Sequence, residues 1–261
     1  MFFKRLITTL ILAPLILALI FYGSPLYLGI LAFGILLLCG SEWLHLIPAQ
    51  TGLGKGFFLL GLILFTLLSH YFFPYWLIIG LVIWIMNVVI ILTYPNSQPY
   101  WGNKATVAFW GFLLLPLFLQ SLIHLFIQNN GKSLLIYLLF LIWATDIGAY
   151  LAGKLFGKHK LIPRVSPGKS WEGVLGGFIL AGGVACLAAQ YFLPNNLSHW
   201  YLLAFITVII SIFGDLFISI LKRRCQLKDT GAIIPGHGGI LDRLDSLIAA
   251  LPFFYYGITW G

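Results

Sequence analysis

The hydrophobic positions of the chain form long apolar runs that are broken by clusters of Gly, Pro, Asn and Lys. A bilayer core is crossed by a helix of about 20 mostly apolar residues. Runs of this length recur along the whole chain, at residues 6–22, 26–47, 57–73, 75–94, 105–127, 133–153, 174–192, 201–221 and 240–258. The pattern therefore predicts an all-α, polytopic membrane helix bundle of about nine transmembrane helices, folded as a single integral membrane domain over residues 1–261.

The composition supports this interpretation and excludes several classes of protein. Hydrophobic residues make up 61% of the chain and charged residues only 8%, with a mean hydropathy of +1.00. Soluble domains are about 45–50% apolar and about 25% charged, so a water-soluble globule and a disordered chain are both excluded. The three cysteines form no C-x-x-C pair, which gives no support to a thiolate zinc site or a redox dithiol.

The positive charge of the chain indicates orientation. The formal net charge is +8, and all but one of the 15 Lys and Arg residues lie on the side of the N-terminus, with Lys132 alone on the other. Cytoplasmic loops carry the excess of Lys and Arg in membrane proteins. We therefore expect a multi-pass protein of the cell membrane, most simply a bacterial inner membrane. The N-terminus is expected in the cytoplasm and the C-terminus outside. The bilayer is then the expected partner and nucleic acid is not.

Small residues recur every four positions along the seventh predicted span, at Gly173, Gly177, Ala181, Ala185 and Ala189. Such a stripe allows two helices to approach closely in a membrane. The sequence therefore predicts that this face packs against another helix. The partner helix lies either in the same chain or in a second copy, so a homodimer stays open.

Three of the seven acidic residues fall within or at the ends of predicted spans, where an ionised group is costly and marks a candidate functional site. Glu42 lies three residues before His45 on one helix face, and we interpret it as a structural partner of that histidine. Asp146 fits a structural and a functional role equally well. Asp215 precedes a basic cluster by about two turns, and we favour a functional role for it.

The loop at 153–173 combines cations with a short segment of small residues ahead of a helix start. A solvated, orienting loop, or one that contacts anionic lipid headgroups, would account for the charge. It would not account for the segment from Ser166 to Ser170, which predicts a turn. Backbone N–H groups of such a turn, together with Lys169, suit an anion.

A second polar segment, residues 219–246, gives the stronger signal. Four cations precede a glycine-rich turn at 235–239, and Asp242 and Asp245 follow it on one face of the next helix. Helix capping would need only one of these acids. Paired carboxylates, cations and a glycine turn are the parts of a site for Mg²⁺ and a nucleotide. His237 suits a general base, a metal ligand, or a structural or phosphate hydrogen-bond donor.

These residues resemble the phosphatidate cytidylyltransferases, also called CDP-diacylglycerol synthases. The family pattern runs over 27 residues here and meets every constrained position: Ser219, Lys222, Arg223, Lys228, Asp229, Gly231, Pro235, His237, Gly238, Gly239, Asp242, Arg243 and Asp245. Segments around Asp146, Lys158 and Ser166 to Gly173 also resemble the family. Residues 133–261 thus carry the expected catalytic site, whereas residues 1–132 match only as spans without a motif.

The resemblance implies a transferase that converts CTP and phosphatidate to CDP-diacylglycerol and pyrophosphate with a divalent metal. It implies catalytic or metal-binding roles for Asp215, Asp242 and Asp245, with Lys222 and Lys228 beside them. Substrate binding is expected from a further set: Ser166, Lys169, Ser170, Ser219, Arg223, His237, Gly238, Gly239 and Arg243. The expected cofactor is Mg²⁺, with a second cation left open.

Two other functions compete with this interpretation. A CDP-alcohol phosphotransferase also modifies lipid headgroups, but its D-G-x2-A-R…G-x3-D-x3-D pattern is absent from the sequence. An ion or solute transporter would explain the three acids in spans as an ion path. It would not explain a glycine-rich turn with paired aspartates at the membrane surface.

Overall fold

The structure is a computed structural model that describes residues 2–47, 51–234, 236 and 238–260. Within these ranges it has ten α-helices and two short β-strands. In chain order they are α1 (Phe2–Tyr22), α2 (Pro25–Leu46), α3 (Gly52–Tyr71), α4 (Phe73–Leu92), α5 (Gln98–Trp101), α6 (Lys104–Phe126), α7 (Gly131–Phe156), β1 (Lys160–Ile162), β2 (Ser166–Ser170), α8 (Trp171–Phe192), α9 (Leu197–Arg224) and α10 (Leu241–Trp260).

The long helices lie on the predicted apolar runs, which confirms the all-α polytopic bundle. Seven of the described helices, α2 to α4 and α6 to α9, are long and apolar enough to cross a membrane. Helix α1 contributes a shorter apolar segment, Leu10–Tyr22. Helix α10 carries Asp242, Arg243 and Asp245 within its first five residues, which makes its start polar. The predicted number of nine spans is therefore approximate.

Polar residues between the apolar runs fix where the helices begin. The side chains of Ser24, Thr51, Asn103, Ser170 and Asn196 each accept a hydrogen bond from a backbone N–H in the first turn of the following helix. Such caps satisfy donors that have no partner within the helix. The breaks in the hydrophobic pattern are thus helix starts with a defined chemistry.

Helix α6 lies inside the bundle, packed against α2, α3, α4, α7 and α10. About two-thirds of its most apolar stretch is buried (67%), compared with 22% for α3. The outer helices instead expose large apolar side chains, among them Leu60, Leu64, Ile78 and Ile85. An exposed apolar surface of this kind suits contact with lipid.

Helices α7 and α8 pack closely enough for their backbones to touch. A Cβ atom on Gly148 would collide with the carbonyl oxygen of Gly176, and one on Gly177 would lie 2.9 Å from the carbonyl oxygen of Thr145. All five residues of the small-residue stripe are buried. The prediction that this face packs against another helix is confirmed, and the partner is α7 of the same chain.

Several loops that were predicted to share one side of the membrane meet at one end of the bundle. Arg224, the last residue of α9, donates from Nη1 to the carbonyl oxygen of Gly102 at 2.8 Å and from Nη2 to that of Leu46. Arg223 donates from Nε to the carbonyl oxygen of Val165 at 3.2 Å. Two neighbouring arginines at the end of α9 therefore bind the ends of α2 and α5 and the turn of the hairpin that β1 and β2 form.

The segment from Ser166 to Ser170 differs from its prediction. The structure places it in strand β2, which pairs with β1 in antiparallel register, Lys160 opposite Ser170 and Ile162 opposite Ser166. Pro167 cannot donate a ladder hydrogen bond, but a two-stranded sheet has outer edges that need no donor. The predicted turn is therefore wrong: the backbone is extended, and the helix start follows it directly at Trp171.

Candidate functional site

The end of α9 and the start of α10 are joined by an ion pair. Lys222 Nζ lies 2.6 Å from Asp242 Oδ1, and both side chains are largely buried. Asp242 Oδ2 accepts three further hydrogen bonds, from the backbone N–H groups of Thr230 (2.8 Å) and Gly239 (3.0 Å) and from the Thr230 hydroxyl (3.0 Å). Both oxygens of this predicted site carboxylate are thus held by donors of the protein.

A second ion pair joins strand β2 to the middle of α9. Lys169 Nζ lies 2.5 Å from Asp215 Oδ2, and the two side chains are about one-third exposed or less. The Ser219 hydroxyl, one turn further along α9, donates to Asp215 Oδ1 at 3.3 Å. The two basic segments of the sequence therefore contribute to one site, with one lysine each.

Asp245 lies beside Asp215. A Cβ atom on Gly214 would lie 2.6 Å from the carbonyl oxygen of Asp245, so α9 and α10 are in close contact at this level. The carboxylates of Asp215 and Asp245 are close enough for their charges to repel each other, and each is close enough to Lys169 and Lys222 to be attracted by them. The predicted approach of α9 and α10 is present, and Asp245 is an acid of α10 whose charge is close enough to act on that of Asp215.

Asp146 also belongs to this cluster. It lies on an exposed part of α7, and its charge interacts with those of Asp215, Lys169 and Arg243. Three helices, α7, α9 and α10, and strand β2 therefore contribute to a group of three acids, Asp146, Asp215 and Asp245, with Lys169 and Lys222 beside them. We call these five residues the charged cluster.

The glycine-rich segment leads from α9 to α10 through an unusual backbone. Gly236 and Gly238 have φ angles of 78° and 86°, a region that favours glycine because it has no Cβ atom. The N–H of Ile234 donates to the carbonyl oxygen of Gly238 at 2.9 Å, which closes the turn. Gly239 follows with its N–H directed to Asp242. The turn thus places Asp242 at the start of α10.

Glu42 of α2 binds the same segment from the other side. Its carboxylate accepts hydrogen bonds from the backbone N–H groups of Ile240 (3.0 Å) and Leu241 (2.8 Å), and from the Thr230 hydroxyl (3.1 Å). His45 Nδ1 lies 2.6 Å from the carbonyl oxygen of Thr230, which it donates to. The interpretation of Glu42 as a partner of His45 is therefore wrong, because each of the two residues binds the segment that precedes α10.

The remaining predicted site residues have separate positions. The Ser170 hydroxyl caps α8, accepting from the Gly173 N–H at 3.1 Å, and Ser166 begins β2. Arg223 holds the hairpin through Val165. Lys228 is exposed and joins no ion pair with another described residue. His237 lies outside the described residues, and Arg243 contributes charge beside Asp146.

A metal was also predicted here. In the part of the chain that the structure describes, no three His, Cys, Asp or Glu side chains are grouped as a ligand set for a metal ion. Asp215 and Asp245 nevertheless offer the hard oxygen ligands that Mg²⁺ prefers, and their neighbouring negative charges suit a cation between them. Asp242 fits less well, since four protein donors already occupy its oxygens.

The sequence analysis did not single out Thr230, and it left Asp146 undecided. Thr230 stands one residue after Asp229 of the motif and is buried, but an isolated threonine in a loop gives no signal of its own. Asp146 gave a signal as an acid in a span. Its place in the charged cluster depends on how α7 packs against α9 and α10, which a single sequence does not specify.

Comparisons with known proteins identify the family of the chain. The model of the cytidylyltransferase family matches residues 3–260 of the chain. The chain is 36% identical to the phosphatidate cytidylyltransferase of Pseudomonas aeruginosa, over 99% of this chain and 98% of that protein. It is 34% identical to the phosphatidate cytidylyltransferase of Haemophilus influenzae, over 97% of each. Since the family model extends over nearly the whole sequence, the chain belongs to the cytidylyltransferase family.

Proposed function

We propose that this enzyme transfers a cytidylyl group from CTP to phosphatidate and releases pyrophosphate. One observation carries the proposal: a chain of the cytidylyltransferase family holds two Lys–Asp pairs where the C-terminal part of the apolar helix α9 meets strand β2 and the start of α10. A lipid headgroup at the membrane surface and a nucleotide from water can both reach such a place. The two full-length relatives named above are phosphatidate cytidylyltransferases.

The proposed reaction needs charge neutralisation more than proton transfer. A phosphate oxygen of phosphatidate attacks the α-phosphorus of CTP, the new P–O bond forms, and the bond from the α-phosphorus to the bridging oxygen breaks, so that pyrophosphate leaves with the electron pair. The second pKa of a phosphomonoester is about 6, so the attacking group is already an anion at neutral pH. No general base is required.

The lysines supply positive charge at fixed positions. Lys222 and Lys169 are each held by a carboxylate, at 2.6 Å and 2.5 Å, so their ammonium groups are oriented before a substrate binds. Preorganised charges of this kind stabilise a transition state without a reorganisation cost. We assign the two lysines to the phosphate groups of the substrates, with Arg243 and Lys228 as further sources of positive charge.

Asp215 and Asp245 are the residues that would hold Mg²⁺. When bound, the ion would neutralise phosphate oxygens and polarise the α-phosphorus. Asp242 would act beside them through Lys222, to which it is bonded.

The membrane orientation is part of the proposal. The asymmetry of Lys and Arg supports an orientation in which the charged cluster faces the cytoplasm, where CTP is found, and the C-terminus lies outside. A reporter that is active only in the cytoplasm should therefore be inactive when fused after Gly261 and active when fused before Met1. The reverse pattern would contradict this orientation.

The activity itself is tested with the purified protein in mixed micelles. CTP labelled at the α-phosphate should yield chloroform-soluble label only when phosphatidate and Mg²⁺ are both present, with one pyrophosphate released per lipid formed. Diacylglycerol in place of phosphatidate should give no product. Solute flux through proteoliposomes without any CTP turnover would instead favour a transporter.

A further inference from the structure

Glu42 is buried to 2% exposure in α2, a helix that contributes no residue to the cytidylyltransferase pattern described above. None of the ion pairs between described residues includes it. Its carboxylate instead accepts its hydrogen bonds from residues about 190 to 200 positions further along the chain. A buried carboxylate is costly unless it is well bonded, so the nature of its donors indicates what it does.

Two of these donors are the first N–H groups of α10. Ile240 and Leu241 lie at the start of that helix, where backbone N–H groups have no partner within the helix. Glu42 caps both of them from another helix, and its negative charge lies at the positive end of the helix dipole. Since Asp242 follows Leu241 directly, this cap fixes the backbone position from which the Asp242 side chain extends.

The third donor links Glu42 to Asp242. The Thr230 hydroxyl lies 3.1 Å from Glu42 Oε2 and 3.0 Å from Asp242 Oδ2. Its single hydrogen is therefore shared between the two carboxylates. His45, one turn after Glu42, binds the carbonyl oxygen of the same threonine. Thr230 is thus held by α2 at both its hydroxyl and its carbonyl group.

Two glycines of the segment make room for the Glu42 side chain. A Cβ atom on Gly231 would lie 2.5 Å from Glu42 Oε1, and one on Gly239 would collide with Oε2. A Cβ atom at either position would therefore displace the Glu42 carboxylate from its present place. The glycine-rich segment and α2 fit each other as one unit.

We propose that Glu42 is a positioning residue for the cytidylyltransferase site, acting through Thr230 and the start of α10 to fix Asp242 and, through it, Lys222. The inference rests on the proposed function for its kinetic consequences only. Its structural content, that Glu42 orders residues 229–234 and 238–241, is independent of the reaction. The experiment therefore measures both.

The first measurement is hydrogen exchange of the purified protein, which does not depend on activity. In Glu42→Gln, one acceptor oxygen is replaced by an NH₂ group that faces N–H donors. Exchange of peptides that cover 229–241 should accelerate by about 10-fold or more, while peptides of α7 and α8 stay unchanged. The matched control is Glu172→Gln at the only other glutamate, which binds His159 and should leave 229–241 unchanged.

The second measurement separates positioning from simple loss of stability. Glu42→Gln should lower kcat by about 10-fold or more with a smaller change in KM for CTP, and Glu42→Asp, which keeps the charge, should recover part of it. Thr230→Val removes the shared hydroxyl. Because both residues act through the same contact, their effects on kcat should not add in the double variant.

Unchanged exchange at 229–241 in Glu42→Gln would overturn the inference, and so would additive effects of Glu42→Gln and Thr230→Val. If Glu42→Gln does not yield folded protein, Glu42→Asp and Thr230→Val take its place in the exchange measurement. A wild-type protein without CTP turnover would overturn the proposed function but not the structural inference, which the exchange result decides separately.

Discussion

The two halves of the chain contribute to the polar site in different ways. The C-terminal half, from α7 to α10, supplies every ion pair between described residues of the site, through Lys169, Asp215, Lys222 and Asp242. The N-terminal half supplies acceptors for backbone and hydroxyl donors, chiefly through Glu42 of α2. Charge that can face substrates lies in one half, and part of the support that fixes its geometry lies in the other.

This difference shows that the site includes a residue that lies far outside the sequence motif. The residues of the family pattern lie within 27 consecutive positions because α9, the glycine turn and α10 form one continuous unit. The cap on α10 comes from α2 because α2 packs against α10. Capping α10 from α2 needs only one carboxylate at the level of the start of α10. It therefore leaves no pattern in the sequence around Glu42.

The largest effect is expected at Asp242, and activity without it would contradict the role of the C-terminal half as the source of the charged groups. Asp242→Asn keeps the volume of the side chain but removes the charge that holds Lys222, so turnover should fall by about 10²–10³-fold, as when one preorganised group is lost from an active site. The measurement is incorporation of labelled CTP into lipid. The thermal unfolding profile and the elution volume should remain those of the wild type. Full Mg²⁺-dependent activity in this variant would contradict the assignment.

A smaller effect is expected at the hairpin. Lys169→Gln leaves Asp215 without its ion-pair partner and removes one positive charge from the site, so kcat should fall by about 10- to 100-fold. Lys160→Gln removes the same charge from the other strand of the hairpin, where the side chain is exposed, and serves as the control. Equal losses in the two variants would show that only the net charge of the hairpin matters.

Much of the fold was predictable from the sequence, because membrane helices are specified by long apolar runs and by the polar residues that cap them. Ser24 and Asn103 illustrate this, since each ends a polar break and caps the next helix. The extended backbone at 166–170 was not predictable, because Ser, Pro and Gly favour turns and only pairing with Lys160 to Ile162 makes the strand.

The site was predictable in its charged residues and not in its connections. Lys222 and Asp242 stand in the motif, and their contact follows from a loop that returns α10 beside α9. The pairing of Lys169 with Asp215, the approach of Asp245 to Asp215, and the bond from Thr230 to Glu42 depend on the rotation of each helix about its axis. Helix rotation is set by packing, which a single sequence does not specify.

The contact between the two halves can be weakened at Arg224 without altering a charged residue of the site. Arg224→Met removes the hydrogen bonds to the carbonyl groups of Leu46 and Gly102, together with the guanidinium group that lies over the Trp101 ring. Hydrogen bonds to a charged group contribute about 1.5–3 kcal/mol, so the apparent melting temperature should fall by several degrees. Arg164→Met, at an exposed arginine of the hairpin loop, should leave it within error. Equal melting temperatures would show that these bonds do not stabilise the bundle.

The smallest effect is expected within the C-terminal half, where α8 packs on its neighbours through small residues. Ala181 is 2% exposed, and a leucine there would force additional carbon atoms into a closely packed interface. Overpacking of this kind costs about 1–3 kcal/mol, and part of the cost can be relieved because a displaced α8 has lipid on its outer face. The apparent melting temperature or the folded yield should therefore fall modestly. Gly182→Leu is the matched control: a Cβ atom on Gly182 meets no described atom within 4 Å, so its side chain should enter lipid at little cost. If Ala181→Leu unfolds as the wild type does, the face that carries Ala181 is loosely packed, and the close contact between α7 and α8 is confined to the glycines at 148, 176 and 177.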